Sequence, residues 1–228
     1  MASDTPVFLI TGASTGIGAE TARQAAAAGY RLVLAARSED KLEALAGELP
    51  EAIAVRCDVT EWEDQQALVA RALDEYGRID VAFANAGFGG PRGFGEGDVE
   101  HWKAMVLTNV YGAALTIRAT REALIERKGH LLLTGSVAGR RALQGSLYSA
   151  TKWAVTGMGE SARQDFNDTG VRVTVIEPGM VDTPFFENPP EIEALHAEDV
   201  ARAVMFAVQQ PARVDVNEIL IRPTDQPG

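Results

Sequence analysis

Short apolar runs alternate along this chain with longer stretches of helical periodicity, and few folds accept that alternation. The runs at 7–10, 32–35, 53–57, 81–84, 131–133, 171–176 and 218–221 are rich in β-branched and other apolar residues. Each is bounded by Gly, Asp, Asn or Pro, which predicts strands. Between them, 16–28, 40–49, 62–75, 98–126, 148–167 and 199–209 read as helices. Within 98–126, Val99, Trp102, Val106, Val110, Ala113 and Ile117 recur at spacings of three and four, the stripe of one long helix. Strands separated by helices of this length join through right-handed crossovers and give a parallel sheet covered on both faces. The expected class is therefore α/β, a doubly wound parallel sheet of about seven strands with helices on both faces. No repeat, low-complexity segment or linker divides it, so residues 1–228 are expected to form a single domain.

Directly after the first strand stands Thr11-Gly12-Ala13-Ser14-Thr15-Gly16-Ile17-Gly18, followed by a helix. Glycines let the chain turn tightly and bring backbone N–H groups close to a pyrophosphate, and the helix start adds donors and a favourable dipole. A three-glycine cluster taken alone fits a plain structural loop as well; the strand–turn–helix setting is what favours a dinucleotide. No Gly-Lys-Ser/Thr follows, which disfavours a nucleoside-triphosphate P-loop. The second strand ends in Ala35-Ala36-Arg37, with no acid to grip a ribose 2′-hydroxyl. Arg37 suits a 2′-phosphate and Ser14 could add a hydroxyl contact, so NADP(H) is expected in preference to NAD(H). The plainer reading of Arg37 is a solvated arginine at a helix entrance, with Glu39 and Asp40 close by. Asp58-Val59 and Asn85-Ala86-Gly87 follow the third and fourth strands, at carboxyl ends where an open parallel sheet receives its ligand. Asp and Asn there are also ordinary turn residues.

Tyr148 and Lys152 fall at i and i+4 on a predicted helix, so both side chains leave one face. A free tyrosine, with a pKa of about 10, is a poor base at neutral pH. A nearby ammonium and the positive ring of an oxidised nicotinamide would favour the phenolate and make the residue usable as acid or base. Alone, such a pair is more often a surface pair than a site. Ser136, just past the fifth strand, lies at another ligand-facing strand end, where its hydroxyl could hold a substrate oxygen beside the phenol. Asn109 sits inside the long helix, where a special role and a tolerated interior amide both fit.

Taken together these elements resemble the short-chain dehydrogenase/reductase family. The likeness rests on T-G-x-x-x-G-x-G from Thr11 to Gly18, Asn85-Ala86-Gly87, Ser136 twelve residues before Tyr148, Tyr-x-x-x-Lys, and Pro178-Gly179-Met180-Val181-Asp182-Thr183. It runs from Val7 to about Pro223. The resemblance implies a Rossmann-like fold and NADP(H)-dependent interconversion of a carbonyl and an alcohol by hydride transfer, with Tyr148 as general acid/base. Ser136 would steady the oxygen, Lys152 would also bind the nicotinamide ribose, and Asn109 would anchor a water relaying protons to Lys152. Gly12, Ser14, Thr15, Gly16, Ile17 and Gly18 would bind the cofactor at the turn. Asp58 and Val59 would meet the adenine, and Asn85, Ala86 and Gly87 would line the cleft. Pro178, Gly179, Val181 and Thr183 would orient the nicotinamide carboxamide. Homodimers or homotetramers joined through helices 98–126 and 148–167 are implied as well. One departure stands out: only 184–198 separates the Pro-Gly segment from the last helix, where many members carry a longer helical lid, and a more open pocket is expected.

Composition removes other classes. The net charge is −11 with no Lys/Arg cluster, which argues against nucleic acid and against an anionic membrane surface. No apolar stretch reaches spanning length, and residues 1–6 carry Asp4 and no basic residue. A cytoplasmic protein acting on a small molecule is expected. Cys57 is the only cysteine and reads as an inert core thiol. His101, His130 and His196 are far apart, read as surface or strand-end residues, and predict no metal site. Phe88, Phe94, Phe185 and Phe186 either wall an apolar pocket or simply pack; Arg140 and Arg141 either meet a substrate anion or are solvated. The rival readings are a non-catalytic NADP-binding sensor or scaffold, expected to have lost Tyr148 or Lys152, and a nucleotide-sugar epimerase or dehydratase. The latter would carry T-G-x-x-G-x-x-G and a further substrate domain, and neither is found.

Overall fold

The computed structural model describes residues 4–95, 97–185 and 192–226. In chain order its strands are β1 (Val7–Thr11), β2 (Arg31–Ala36), β3 (Ala52–Arg56), β4 (Val81–Ala84), β5 (His130–Thr134), β6 (Arg172–Pro178), β7 (Val181–Asp182), β8 (Leu195–His196) and β9 (Glu218–Ile221). The helices are α1 (Gly16–Ala27), α2 (Glu39–Glu48), α3 (Trp62–Tyr76), α4 (Val99–Val106), α5 (Ala113–Arg127), α6 (Leu147–Asp165) and α7 (Ala197–Val208). Seven strands make one all-parallel sheet in the order β3-β2-β1-β4-β5-β6-β9.

Alternate residues of each strand feed opposite faces. Phe8, Ile10, Leu32, Leu34 and Phe83 pack with Ala22 of α1, Leu42 of α2 and Val200 and Val204 of α7. Val7, Leu9, Val33, Leu131 and Val173 pack on the other side with Leu68 of α3, Leu124 of α5 and Phe166. Both faces are covered, which is why the strands appear in the sequence as unbroken apolar runs. Each of the larger side chains contributes roughly 1.5–3 kcal/mol by leaving water. The strand order reverses between β1 and β4, and this Rossmann-like winding opens a crevice beyond their carboxyl ends.

Two details depart from the sequence expectation. The helix expected at 98–126 is broken by a π segment, Leu107–Gly112, between α4 and α5. Gln65 of α3, fully buried, donates to the carbonyls of Val59 and Gly112 and to the Thr116 hydroxyl, a side chain inserted into the helical ladder. A β7–β8 pair also forms, continued by the Leu195 N–H to the Met180 carbonyl at 3.0 Å.

The amino ends of the strands are closed by charges. Asp80 accepts the Val7 N–H at 2.8 Å and holds Arg78 through both oxygens. Arg172 donates to the carbonyls of Ala207, Val208, Gln210 and Val214, covering the C-terminal end of α7. His130 begins β5 and is buried, so of its two expected placements the strand end holds and the surface does not. Its Nε2 lies 2.7 Å from the Thr174 hydroxyl, and burial pushes the imidazole down to about 3.

Candidate active site

The glycine turn is shaped by its neighbours. Gly12 takes φ +65°, and a Cβ there would stand 2.8 Å from the Ala86 Cα. Asn85 Nδ2 donates to the carbonyls of Thr11 and Gly12, and its Oδ1 accepts the Thr134 hydroxyl. The Asn85 side chain is thus spent on holding the turn. α1 begins at Thr15 with no side-chain cap and no acid in its first turn, whereas α2, α3, α4 and α7 all carry acids there. A helix start left so is suited to an anion, and with a turn closed to side chains it fits a dinucleotide pyrophosphate.

The Pro178–Thr183 stretch reaches across to this turn. A Cβ on Gly16 would lie 3.3 Å from Thr183. The stretch is held from behind, by the Gly179 N–H to the Ile221 carbonyl at 2.7 Å and the Met180 N–H to Gln226 Oε1 at 2.9 Å. On the far side, Arg37 is exposed at the end of β2. Burial alone would raise the Asp58 carboxyl, but the two hydrogen bonds from Thr60 and the charges of Arg37 and Arg56 hold it below its ordinary value. Val59 is buried against Gly112.

The structure brings Ser136, Tyr148 and Lys152 together at the carboxyl ends of β5 and β6. Lys152 is buried, donates to the Thr134 carbonyl at 2.7 Å, and sets its Nζ 5.6 Å from the centroid of the Tyr148 ring. Ser136 Oγ accepts the Ala138 N–H, donates to the Pro178 carbonyl at 3.3 Å, and lies close enough to the Tyr148 phenol to lower its pKa. Asn109 lies buried in the π segment. Its amide clamps both backbone groups of Phe88, at 3.0 and 2.9 Å, and donates to Thr151, so the loop after β4 is tied to α6.

Burial pushes the Tyr148 phenol up to about 12, against the Ser136 hydrogen bond, and pushes Lys152 down to about 8. Desolvation is the larger influence on the phenol, and the positive ring of an oxidised nicotinamide would act against it.

Around the phenol, Phe185 meets Tyr148 edge-on at 5.6 Å and Phe88 meets His101 edge-on at 5.2 Å. Phe94 is 66% exposed and meets the Trp102 ring edge-on at 5.9 Å. Phe186 lies outside the described residues. Arg140, exposed in part, is spent on ion pairs: its Nε sits 2.7 and 2.9 Å from the two oxygens of buried Glu177, and it also pairs with Glu218. Arg141 is exposed. Cys57 is buried, which pushes its thiol up to about 12. Among the described residues no three His, Cys, Asp or Glu gather as metal ligands, and no helix is long and apolar enough to cross a membrane. Sequence reasoning missed Glu177, Gln65 and Gln226. An acid directly before Pro178-Gly179 at the end of an apolar strand was the available signal for the first; the two glutamines carried none.

The family model described as short chain dehydrogenase matches residues 6–193. The chain is 37% identical to an uncharacterized oxidoreductase of Staphylococcus saprophyticus, over 95% of this chain and 97% of the other. It superposes with a TM-score of 0.93 and 32% identity on an alcohol dehydrogenase from the archaeon Thermococcus sibiricus, solved with 5-hydroxy-NADP, with 99% of each chain covered. A short chain dehydrogenase/reductase from Burkholderia phymatum, solved with NAD, gives a TM-score of 0.86 at 28% identity over 96% of this chain and 90% of the other.

Proposed function

This chain belongs to the short-chain dehydrogenase/reductase family, and from that premise we propose that it is an NADP(H)-dependent oxidoreductase interconverting a carbonyl and an alcohol on a small molecule. The observation that carries this reading is the meeting of Tyr148, Ser136 and Lys152 beside a turn closed to side chains and open to an anion. The nicotinamide, when bound, gives or takes the hydride. Tyr148 donates its proton to the carbonyl oxygen as that oxygen gains charge, and takes it back in the reverse direction. Ser136 steadies that oxygen, and Lys152 holds the ribose near the phenol. Asn109 positions the Phe88 backbone and α6, and with them the site.

The cofactor half follows the same reading. The N–H groups of the Gly12–Gly18 turn, with Ser14 and Thr15, cradle the pyrophosphate, Asp58 and Val59 border the adenine, and Val181 and Thr183 border the carboxamide. Arg37, exposed just past β2, whose last residues include no acid, favours a 2′-phosphate, although related proteins have been solved with an NADP derivative and with NAD. One domain carries both halves. Val106, Leu107 and Tyr111, and Trp153 of α6, are large apolar side chains left exposed, which supports a homodimer or homotetramer. We place the protein in the cytoplasm.

The test is consumption of NADPH across a panel of aldehydes and ketones, with NADPH binding followed in parallel. The wild type should turn over at least one compound class, and Tyr148→Phe should lose about a thousandfold in kcat while still binding NADPH. Tight NADPH binding with no carbonyl consumed, and no difference between wild type and Tyr148→Phe, would establish the sensor reading instead.

A further inference from the structure

Ser136 belongs to a tightly seated turn with a glycine directly before it and another three residues on. A Cβ on Gly135 would come within 2.9 Å of the Glu177 Cγ, and one on Gly139 within 2.7 Å of the Lys152 carbonyl and 2.8 Å of the Thr156 hydroxyl. Ser136 caps the 3₁₀ turn Val137–Gly139, its Oγ accepting the Ala138 N–H. The turn therefore rests directly on β6 and on the part of α6 that runs from Lys152 to Thr156.

Its far end is tied down by charge. Arg140, the next residue, donates from Nε to both oxygens of Glu177 and also pairs with Glu218 at the start of β9. Glu177 Oε1 accepts the Thr156 hydroxyl at 3.0 Å as well. Glu177 is 1% exposed and directly precedes Pro178, whose carbonyl accepts the Ser136 hydroxyl. One buried carboxylate thus joins the turn that carries Ser136, the helix that carries Tyr148 and Lys152, and the stretch that begins at Pro178. As a source of stability a buried ion pair is poor, because desolvating two charges offsets most of their attraction and an apolar pair of similar volume often serves as well. What this pair supplies is a fixed place.

Resting on the reductase reading above, in which Ser136 steadies the reacting oxygen, we infer that Arg140 and Glu177 are positioning residues whose ion pair holds the Ser136 hydroxyl in register with the Tyr148 phenol. Neither takes part in the chemistry. Arg140 draws the end of the turn onto β6, and Thr156 holds the same carboxylate to α6.

The test uses the intact enzyme with NADPH and the carbonyl compound it reduces best. The paired variant Arg140→Met/Glu177→Gln removes both charges at once, so no unpaired carboxylate stays buried, and the new amide keeps an acceptor for Thr156. It should lower kcat by about tenfold to a hundredfold and leave the KM for NADPH in place. Ser136→Ala should lower kcat by about a hundredfold or more, and removing the pair in that background should cost less than about twofold further. Arg140→Lys, which can reach one acid but not both, should fall between wild type and the paired variant. Equal losses with and without Ser136, or no loss at all, would overturn the inference. Amide hydrogen exchange reads the same point without turnover: in the paired variant the N–H groups of Ala138, Gly139 and Arg140 should exchange about tenfold faster while α6 and β6 hold. A wild type inert toward every carbonyl, with that local change still present, would count against the reductase reading and support the pinning of Ser136. Exchange unchanged at the turn, or faster throughout α6 and β6, would count against the pinning.

Discussion

Arg172 and Lys152 are both cations drawn out of water, one at the amino ends of the strands and one at the carboxyl ends. Arg172 spends its guanidinium on four main-chain carbonyls of its own chain. Lys152 gives one hydrogen bond to the Thr134 carbonyl and otherwise turns toward the Tyr148 ring, and burial lowers the pKa of both groups. The same contrast separates His130, locked on Thr174, from Tyr148, which faces the crevice. Burial by itself does not mark a functional group. A buried polar side chain consumed by its own fold contributes stability, and one left with capacity toward a cleft contributes chemistry.

The largest expected effect probes the carboxyl end. Lys152→Met should lower kcat by about a thousandfold, yet leave the melting temperature level or raised, because an ammonium with a depressed pKa costs the fold something to keep. A melting temperature that drops would erase the difference between the two ends. Arg172→Met is the reciprocal case. It should cost about 2–4 kcal/mol in urea unfolding by leaving carbonyls at the end of α7 without donors, while turnover per folded molecule stays as it was.

His130 sharpens the contrast through pH. Its folded pKa of about 3 lies below the unfolded value of about 6.5. Below pH 6.5 the unfolded chain therefore takes up a proton that the folded one refuses. Stability complete above that pH is lost as pH falls toward 3, by about 2 kcal/mol at pH 5. Denaturant midpoints at pH 7 and pH 5 should diverge in the wild type and converge in His130→Asn. The smallest effect concerns an exposed charge: Arg37→Ala should narrow the ratio of NADPH to NADH affinity by about tenfold, read by fluorescence titration. An unchanged ratio would remove Arg37 from cofactor selection.

Much of this was legible before any coordinates. A sheet covered on both faces must write its strands as apolar runs, and Tyr148 and Lys152 must share a helix face because four residues nearly complete a turn. What stayed hidden depends on partners far along the chain. Arg140 could not be assigned to Glu177, because nothing local marks an ion pair between residues 37 positions apart. The desolvation of Tyr148 was hidden for a related reason: the lysine one turn on is visible in the sequence, and the burial of the phenol is not. The π segment escaped because spacings of three and four tolerate one extra residue in a turn.

That widened turn makes the length of a helix part of the alignment of the site. Each residue of an α-helix advances the phase by about 100°. The π turn takes up one extra residue with little change in the phase of the flanking helices, so deleting one residue within Leu107–Gly112 would let the ladder relax to ordinary α geometry and close the widened turn. Asn109 could not then keep both Phe88 and Thr151 in reach. In an ordinary helix a single-codon loss rotates all that follows; here it would leave the two flanks in phase and remove the bulge that carries Asn109.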